Sequence, residues 1–152
     1  MPDRHLWTRH STKTIAFDGA AGSGAVAAPS TVLVFTITGR VLVHAMTQFC
    51  TEDVVSAGGG TLVYGVTGDT DAFIGTTTAS NLVADEWWAA AAPPTASGVT
   101  LADSVTGGIT TSQRLKAISG NMFLTVGTAD ITDGTIVFDV LYTPLTDGAR
   151  LF

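Results

Sequence analysis

Hydrophobic and polar residues alternate along most of this chain with a period of two. Residues 31–38 read Thr-Val-Leu-Val-Phe-Thr-Ile-Thr, and residues 41–51 continue as a second long run after Gly39-Arg40. Side chains on a strand point alternately to its two faces, so this period predicts half-buried strands rather than amphipathic helices. The same reasoning predicts strands over 12–17, 61–66, 72–78, 122–127 and 135–142, and a strand or strand pair over 109–119. On the last clear strand, Ile136, Phe138, Val140 and Tyr142 share one face. Thr135, Val137, Asp139, Leu141 and Thr143 share the other, and Asp139 in mid-strand places that face in solvent or against a partner.

Turn chemistry separates these runs. Gly39-Arg40 predicts a tight turn that makes 31–38 and 41–51 a hairpin, and residues 130–134 join 122–127 to 135–142 as a second pair. Gly58-Gly59-Gly60, the loop 67–71 and Gly120-Asn121 mark further breaks. Residues 85–92, Asp-Glu-Trp-Trp followed by four alanines, are the least strand-like and predict one or two helical turns ended by Pro93-Pro94. About eight to ten short strands at regular spacing define an all-β fold, a single antiparallel β-sandwich or barrel with jelly-roll topology favoured. The domain is expected over residues 12–152, preceded by a polar, aperiodic arm over 1–11 whose large apolar group is Trp7.

Composition sharpens this picture. Only 13% of residues are charged, about half the usual share, and 25 Thr and 17 Gly fill the gap. Thr suits a pleated surface with one wet side, and Gly suits positive-φ turns. Sheets have edges that must be covered, and a surface this poor in charge protects them weakly, so burial in an oligomer is expected. Charge is also unevenly placed. Residues 1–13 hold Arg4, Arg9 and Lys13 against Asp3, a net of +2, whereas residues 14–152 hold four basic and twelve acidic groups, a net of −8. An acidic body repels nucleic acid, so no nucleic-acid partner is expected. No uninterrupted apolar run reaches membrane-spanning length and the N-terminus lacks an apolar signal core, so no membrane partner is expected either.

No constellation of catalytic residues stands out, so the chain is read as a non-enzyme with no cofactor and no metal. Gly22, Gly24 and Ala27 satisfy G-x-G-x-x-G/A after a strand, but Pro29 and the run at Thr31 leave no room for the helix that would receive a pyrophosphate. The one histidine outside the arm, His44, sits on a predicted strand, and no G-x-S-x-G elbow is present. The lone Cys50 has no neighbouring cation to activate it and reads as a core residue. Asp69-Thr70-Asp71 and Asp130 with Asp133 are read as turn-forming acids, since calcium would need both loops to converge. The candidate partner-binding residues are Arg4, Trp7 and Arg9 on the arm, and Trp87 and Trp88. The paired tryptophans can stack on sugar rings, plug one end of the sandwich or sit at a subunit interface.

Two phrases carry a family resemblance. Thr12-Lys13-Thr14-Ile15-Ala16-Phe17-Asp18-Gly19, and the segment from Asp133-Gly134-Thr135-Ile136 to Tyr142-Thr143-Pro144-Leu145, resemble the small β-rich head decoration (cement) proteins of tailed bacteriophages. The resemblance spans most of 12–146 in texture and includes no catalytic motif. It implies a structural virion protein on the capsid exterior, commonly a trimer, bridging neighbouring major capsid protein subunits. The lone Cys50, which allows no intrachain disulfide, tilts the expectation towards assembly in the reducing host cytoplasm. A carbohydrate- or receptor-binding module, or another phage part from the tail or connector, are the alternative readings.

Overall fold

The computed structural model describes residues 7–27, 30–89 and 115–152. Eleven strands occur among them: β1 (Arg9–Ala16), β2 (Thr31–Phe35), β3 (Ile37–Thr38), β4 (Val41–Ser56), β5 (Thr61–Val66), β6 (Asp69–Thr78), β7 (Glu86–Trp87), β8 (Lys116–Ile118), β9 (Met122–Gly127), β10 (Ile131–Pro144) and β11 (Arg150–Leu151). One sheet runs β1-β10-β4 and is completed by β7 and β8, both on β4; the other runs β2-β9-β5-β6. Every pairing is antiparallel. With β7 and β8 sharing one position, this is the eight-strand order of a jelly roll, as expected from the sequence. A third, two-stranded ladder joins β11 to β3.

The two sheets close on one core. Tyr64 of β5 meets Phe138 of β10 with ring centroids 5.1 Å apart, which places the inner faces of the two sheets in direct contact. Phe73 packs on the same tyrosine at 5.0 Å and Trp88 at 6.4 Å. The Tyr64 hydroxyl donates to Met122 Sδ at 3.6 Å, and burial holds the phenol neutral. The predicted faces of β10 are observed over 136–142: Ile136, Phe138, Val140 and Tyr142 are buried, and Asp139 and Leu141 face outward. Thr143, expected on the outer face in solvent or against a partner, is instead buried beside His44.

Three local expectations are corrected. Residues 31–38 and 41–51 do not form a hairpin, because β2 pairs with β9, β3 with β11, and β4 with β10. Likewise β9 and β10 lie in different sheets. In both cases the chain crosses from one sheet to the other, so each run buries its apolar face on the opposite layer instead of pairing with its sequence neighbour. Gly39 makes the first crossing: its φ is +71°, and an added Cβ would lie 2.5 Å from Thr146 Oγ1 and 2.9 Å from Ala149 Cβ. The hairpin that does form joins β5 to β6 around Thr67-Gly68, so the expected loop 67–71 is shorter. Third, Glu86–Trp87 is a strand on β4 rather than a helical turn, because pairing with Phe49 and Cys50 outweighs local preference. The remainder of that expected turn and the expected strand before Leu115 lie outside the described residues.

Two irregularities position side chains. On β4, Val43 faces Tyr142 and Ala45 faces Leu141, so His44 is an extra, bulged residue. On β1, the register with β10 turns Arg9, Ser11 and Lys13 toward the inner side, beside the opening between the sheets. Arg9 and Lys13 remain exposed there, and an inward-pointing cation discourages another strand from adding to this edge.

Candidate functional site

The sequence-selected residues separate in the fold. Trp87 and Trp88 do not form a paired platform, because neighbours on a strand face opposite ways. Trp87 lies on the outer face against Phe49, with ring centroids 4.8 Å apart. Trp88 is fully buried, and its indole N–H donates to the Thr77 hydroxyl at 2.9 Å. Trp88 therefore plugs the core, and only Trp87 remains near the surface. Trp7 is 73% exposed and enters β1 just before Arg9, whose register partner is Tyr142. Arg4 lies outside the described residues.

The remaining candidates take structural roles. In the glycine-rich loop, the Asp18 carboxylate accepts from the Ala20 amide at 2.9 Å and from the Ser23 hydroxyl. These bonds, the Ser23 one foremost, hold the Asp18 carboxyl below its usual range. The Ile131 amide donates to Gly24 O at 2.8 Å, and a Cβ on Gly24 (φ +126°) would sit 2.3 Å from Ile131 O. Gly24 thus holds this turn against the start of β10, and among the described residues before β2 no helix follows it. Asp130 accepts from the Val26 amide at 2.6 Å and clamps the same turn. Among the described residues, no group of three or more His, Cys, Asp or Glu is placed to hold a metal ion.

His44 is half-buried, with Nε2 2.8 Å from the Thr143 hydroxyl. Cys50 is buried, and desolvation, with the Glu86 carboxylate adding to it, pushes its thiol up to about 12. A thiol that stays protonated is neither nucleophile nor metal ligand. His10 Nε2 and the Thr12 hydroxyl both reach Asp139 Oδ1, at 2.8 and 2.6 Å, on the exposed face of β1 and β10. That cluster has no nucleophile to activate beyond a threonine already bonded to the acid. A cleft of about 370 Å³ opens between β6 and β8, and its polar side chains among the described residues are Thr67, Lys116 and Ser119.

The structure assembles one surface that the sequence left scattered. Arg40 O accepts from the Leu145 amide at 2.8 Å, and the Arg40 amide donates to Thr146 Oγ1 at 3.0 Å, which joins the β3–β4 turn to the end of β10. Arg150 opposes Thr38, and the Phe152 amide donates to Thr36 O at 3.1 Å. The Ser11 hydroxyl donates to Leu151 O at 2.9 Å, drawing β1 to the same corner. The Arg150 guanidinium stands 5.2 Å from the Phe152 ring centroid. Phe152 (58%) and Leu145 (45%) are exposed beside Arg9, Arg40 and Arg150. This corner, together with Trp7, is the candidate docking surface. The sequence singled out Trp7 and Arg9 of it; Arg40, Leu145, Arg150 and Phe152 had no local signal, because they come from a turn and the far end of the chain.

No protein-family model matches the sequence, and no curated protein matches it. A chain in the Cyanophage Pam1 capsid asymmetric unit shares the fold at a TM-score of 0.50 and 16% identity, over 90% of this chain and 84% of that one. A chain in the acidic stable capsid structure of Helicobacter pylori bacteriophage KHP30 aligns at a TM-score of 0.43 and 12% identity, over 96% of this chain and 98% of that one. The first likeness is one of fold; the second is too distant to add to it. The architecture is thus one found within a phage capsid, as the sequence resemblance implied.

Proposed function

We propose that this chain is a non-enzymatic structural protein of a tailed-phage head, a decoration (cement) protein on the capsid exterior. It bridges neighbouring major capsid protein subunits and works as an oligomer, with a trimer favoured. The observation that carries this reading is the jelly roll shared over 90% of the chain with a component of the Pam1 capsid. The surface is compatible with it. His44 and Cys50 are committed to bulge and core, whereas exposed apolar groups stand beside arginines at one corner. The expected arm 1–11 is shortened by β1, which begins at Arg9. The segment before it reaches onto an acidic partner surface, with Arg4 and Trp7 as contacts, Arg9 beside them at the start of β1, and Trp87 as a second, outer-face contact.

The test is binding of the purified protein to capsids assembled without it. Saturable co-sedimentation, and a higher temperature for capsid rupture after binding, are expected. Deleting residues 1–8 should lower occupancy while the circular dichroism and melting of the free domain stay unchanged. Absence of binding to capsids, or labelling of tails instead of heads, overturns the reading.

A further inference from the structure

The two ends of the sandwich differ in charge. At one end, the corner built by the start of β1, the β3–β4 turn, the end of β10 and β11 holds Arg9, Arg40 and Arg150 against Asp147. Asp69 and Asp71 lie at this end too, but on the β5–β6 hairpin at the far edge of the other sheet, the side where Lys116 stands. At the opposite end, the end of β4, the start of β10 and the adjoining turns carry Asp18, Glu52, Asp53, Asp85 and Asp133, all exposed, with Asp130 half-buried. Among the described residues no lysine or arginine lies there. The exposed Val55 adds an apolar spot between these acids.

Turn chemistry explains why aspartates gather at that end. Asp53 accepts from the Ala84 amide at 2.8 Å, and Asp133 from the Gly134 amide at 2.9 Å. Such bonds hold carboxylates in place without neutralising them. The arginine corner cannot do so within one molecule. β10 has 14 residues, which at about 3.3 Å each separates the ends by roughly 45 Å. That is several Debye lengths of about 8–10 Å, so each end presents its own field to a neighbour.

We infer that the arginine corner, with Phe152 and Leu145 as apolar anchors, docks the carboxylate-bearing end of a second copy of this chain. Charge complementarity between two surfaces of one molecule selects this occupant. The contact joins two different patches, so it is heterologous: repeated, it closes into a ring if the rotation allows and otherwise extends. A cyclic trimer requires two such unlike patches, and the contact supplies the interface for the oligomer proposed above, on which it rests. Arginine and a large aromatic at the centre of the patch are the residue types that dominate interface energetics.

Sedimentation velocity of the full chain tests this. Self-association is expected at about 0.02 M salt and should weaken at least tenfold by about 0.5 M. The R40E/R150E variant and the E52K/D133K variant should each stay monomeric at low salt, and mixing the two should restore a complex. The milder R40Q/R150Q pair serves if charge reversal perturbs melting. An oligomer insensitive to salt and unchanged by every variant refutes this contact and leaves the oligomer intact. A monomer under all conditions refutes both.

Discussion

Glu86 offers the sharpest test of how the core is built. It lies opposite Cys50 in the β4–β7 ladder and therefore turns inward, where it is 1% exposed. Neither carboxylate oxygen has a hydrogen-bond partner among the described residues. Burial raises its pKa above the ordinary 4.5, Asp53 adds to the rise, and the nearby Val83 amide partly counters it. A carboxyl whose folded-state pKa is raised favours folding most when protonated. Stability should therefore be full below about 4.5 and fall as the pH rises through the folded-state value. A buried group left unsatisfied costs about 1–3 kcal/mol, and β7 is short and is the edge strand of its sheet among the described residues, so about 1 kcal/mol is appropriate. Glu86→Gln keeps the shape and removes the charge. At pH 8 it should melt about 2–4 °C above the parent, and at pH 4 the two should coincide. Thermal unfolding followed by circular dichroism across that range reads the difference. An E86Q variant that is no more stable at pH 8, or a gap that does not change with pH, would sink the argument.

Other expectations follow from single contacts. Gly24→Ala forces a Cβ onto Ile131 O at positive φ and should cost about 3 kcal/mol in urea unfolding, from backbone strain and the endangered Ile131 bond. Trp88→Phe removes the indole bond to Thr77 and leaves a void beside Tyr64, for a loss of about 2 kcal/mol, whereas Trp87→Phe should cost well under half of that. Cys50, with its thiol raised to about 12, should resist a thiol-specific reagent at pH 8 until the domain is unfolded, and fast native labelling would contradict its burial.

What the sequence makes legible here is the face of each residue, and what it hides is the neighbour. The alternation over 135–142 separates Phe138 and Val140 from Asp139 and Leu141 correctly, because facing depends on the strand alone. Pairing depends on both layers, and the Gly39 turn looks locally like a hairpin although it carries the chain across the sandwich. Trp87-Trp88 followed by alanines looks helical, and only the presence of Phe49 and Cys50 alongside makes residues 86 and 87 a strand. The glycine loop and Cys50 were readable because their alternatives each needed a partner that the chain does not supply. The arginine corner was not, since Arg40, Arg150 and Phe152 meet only when β11 returns to β3.

The extra residue at His44 has a genetic consequence. Losing one residue from a central strand normally turns every following side chain to the wrong face. On β4 the inward positions change from odd to even numbers across the bulge: Val41 and Val43 before it, Met46, Gln48 and Cys50 after it. Deleting His44 would remove the bulge and leave Val43 on Tyr142 and Ala45 on Leu141, at the expense of the Thr143 contact. The longest strand of the domain thus contains a place where a single codon can be lost with the core intact. Deletion of Thr47, three positions on, has no such refuge, and comparing the soluble yield of the two deletions would show it.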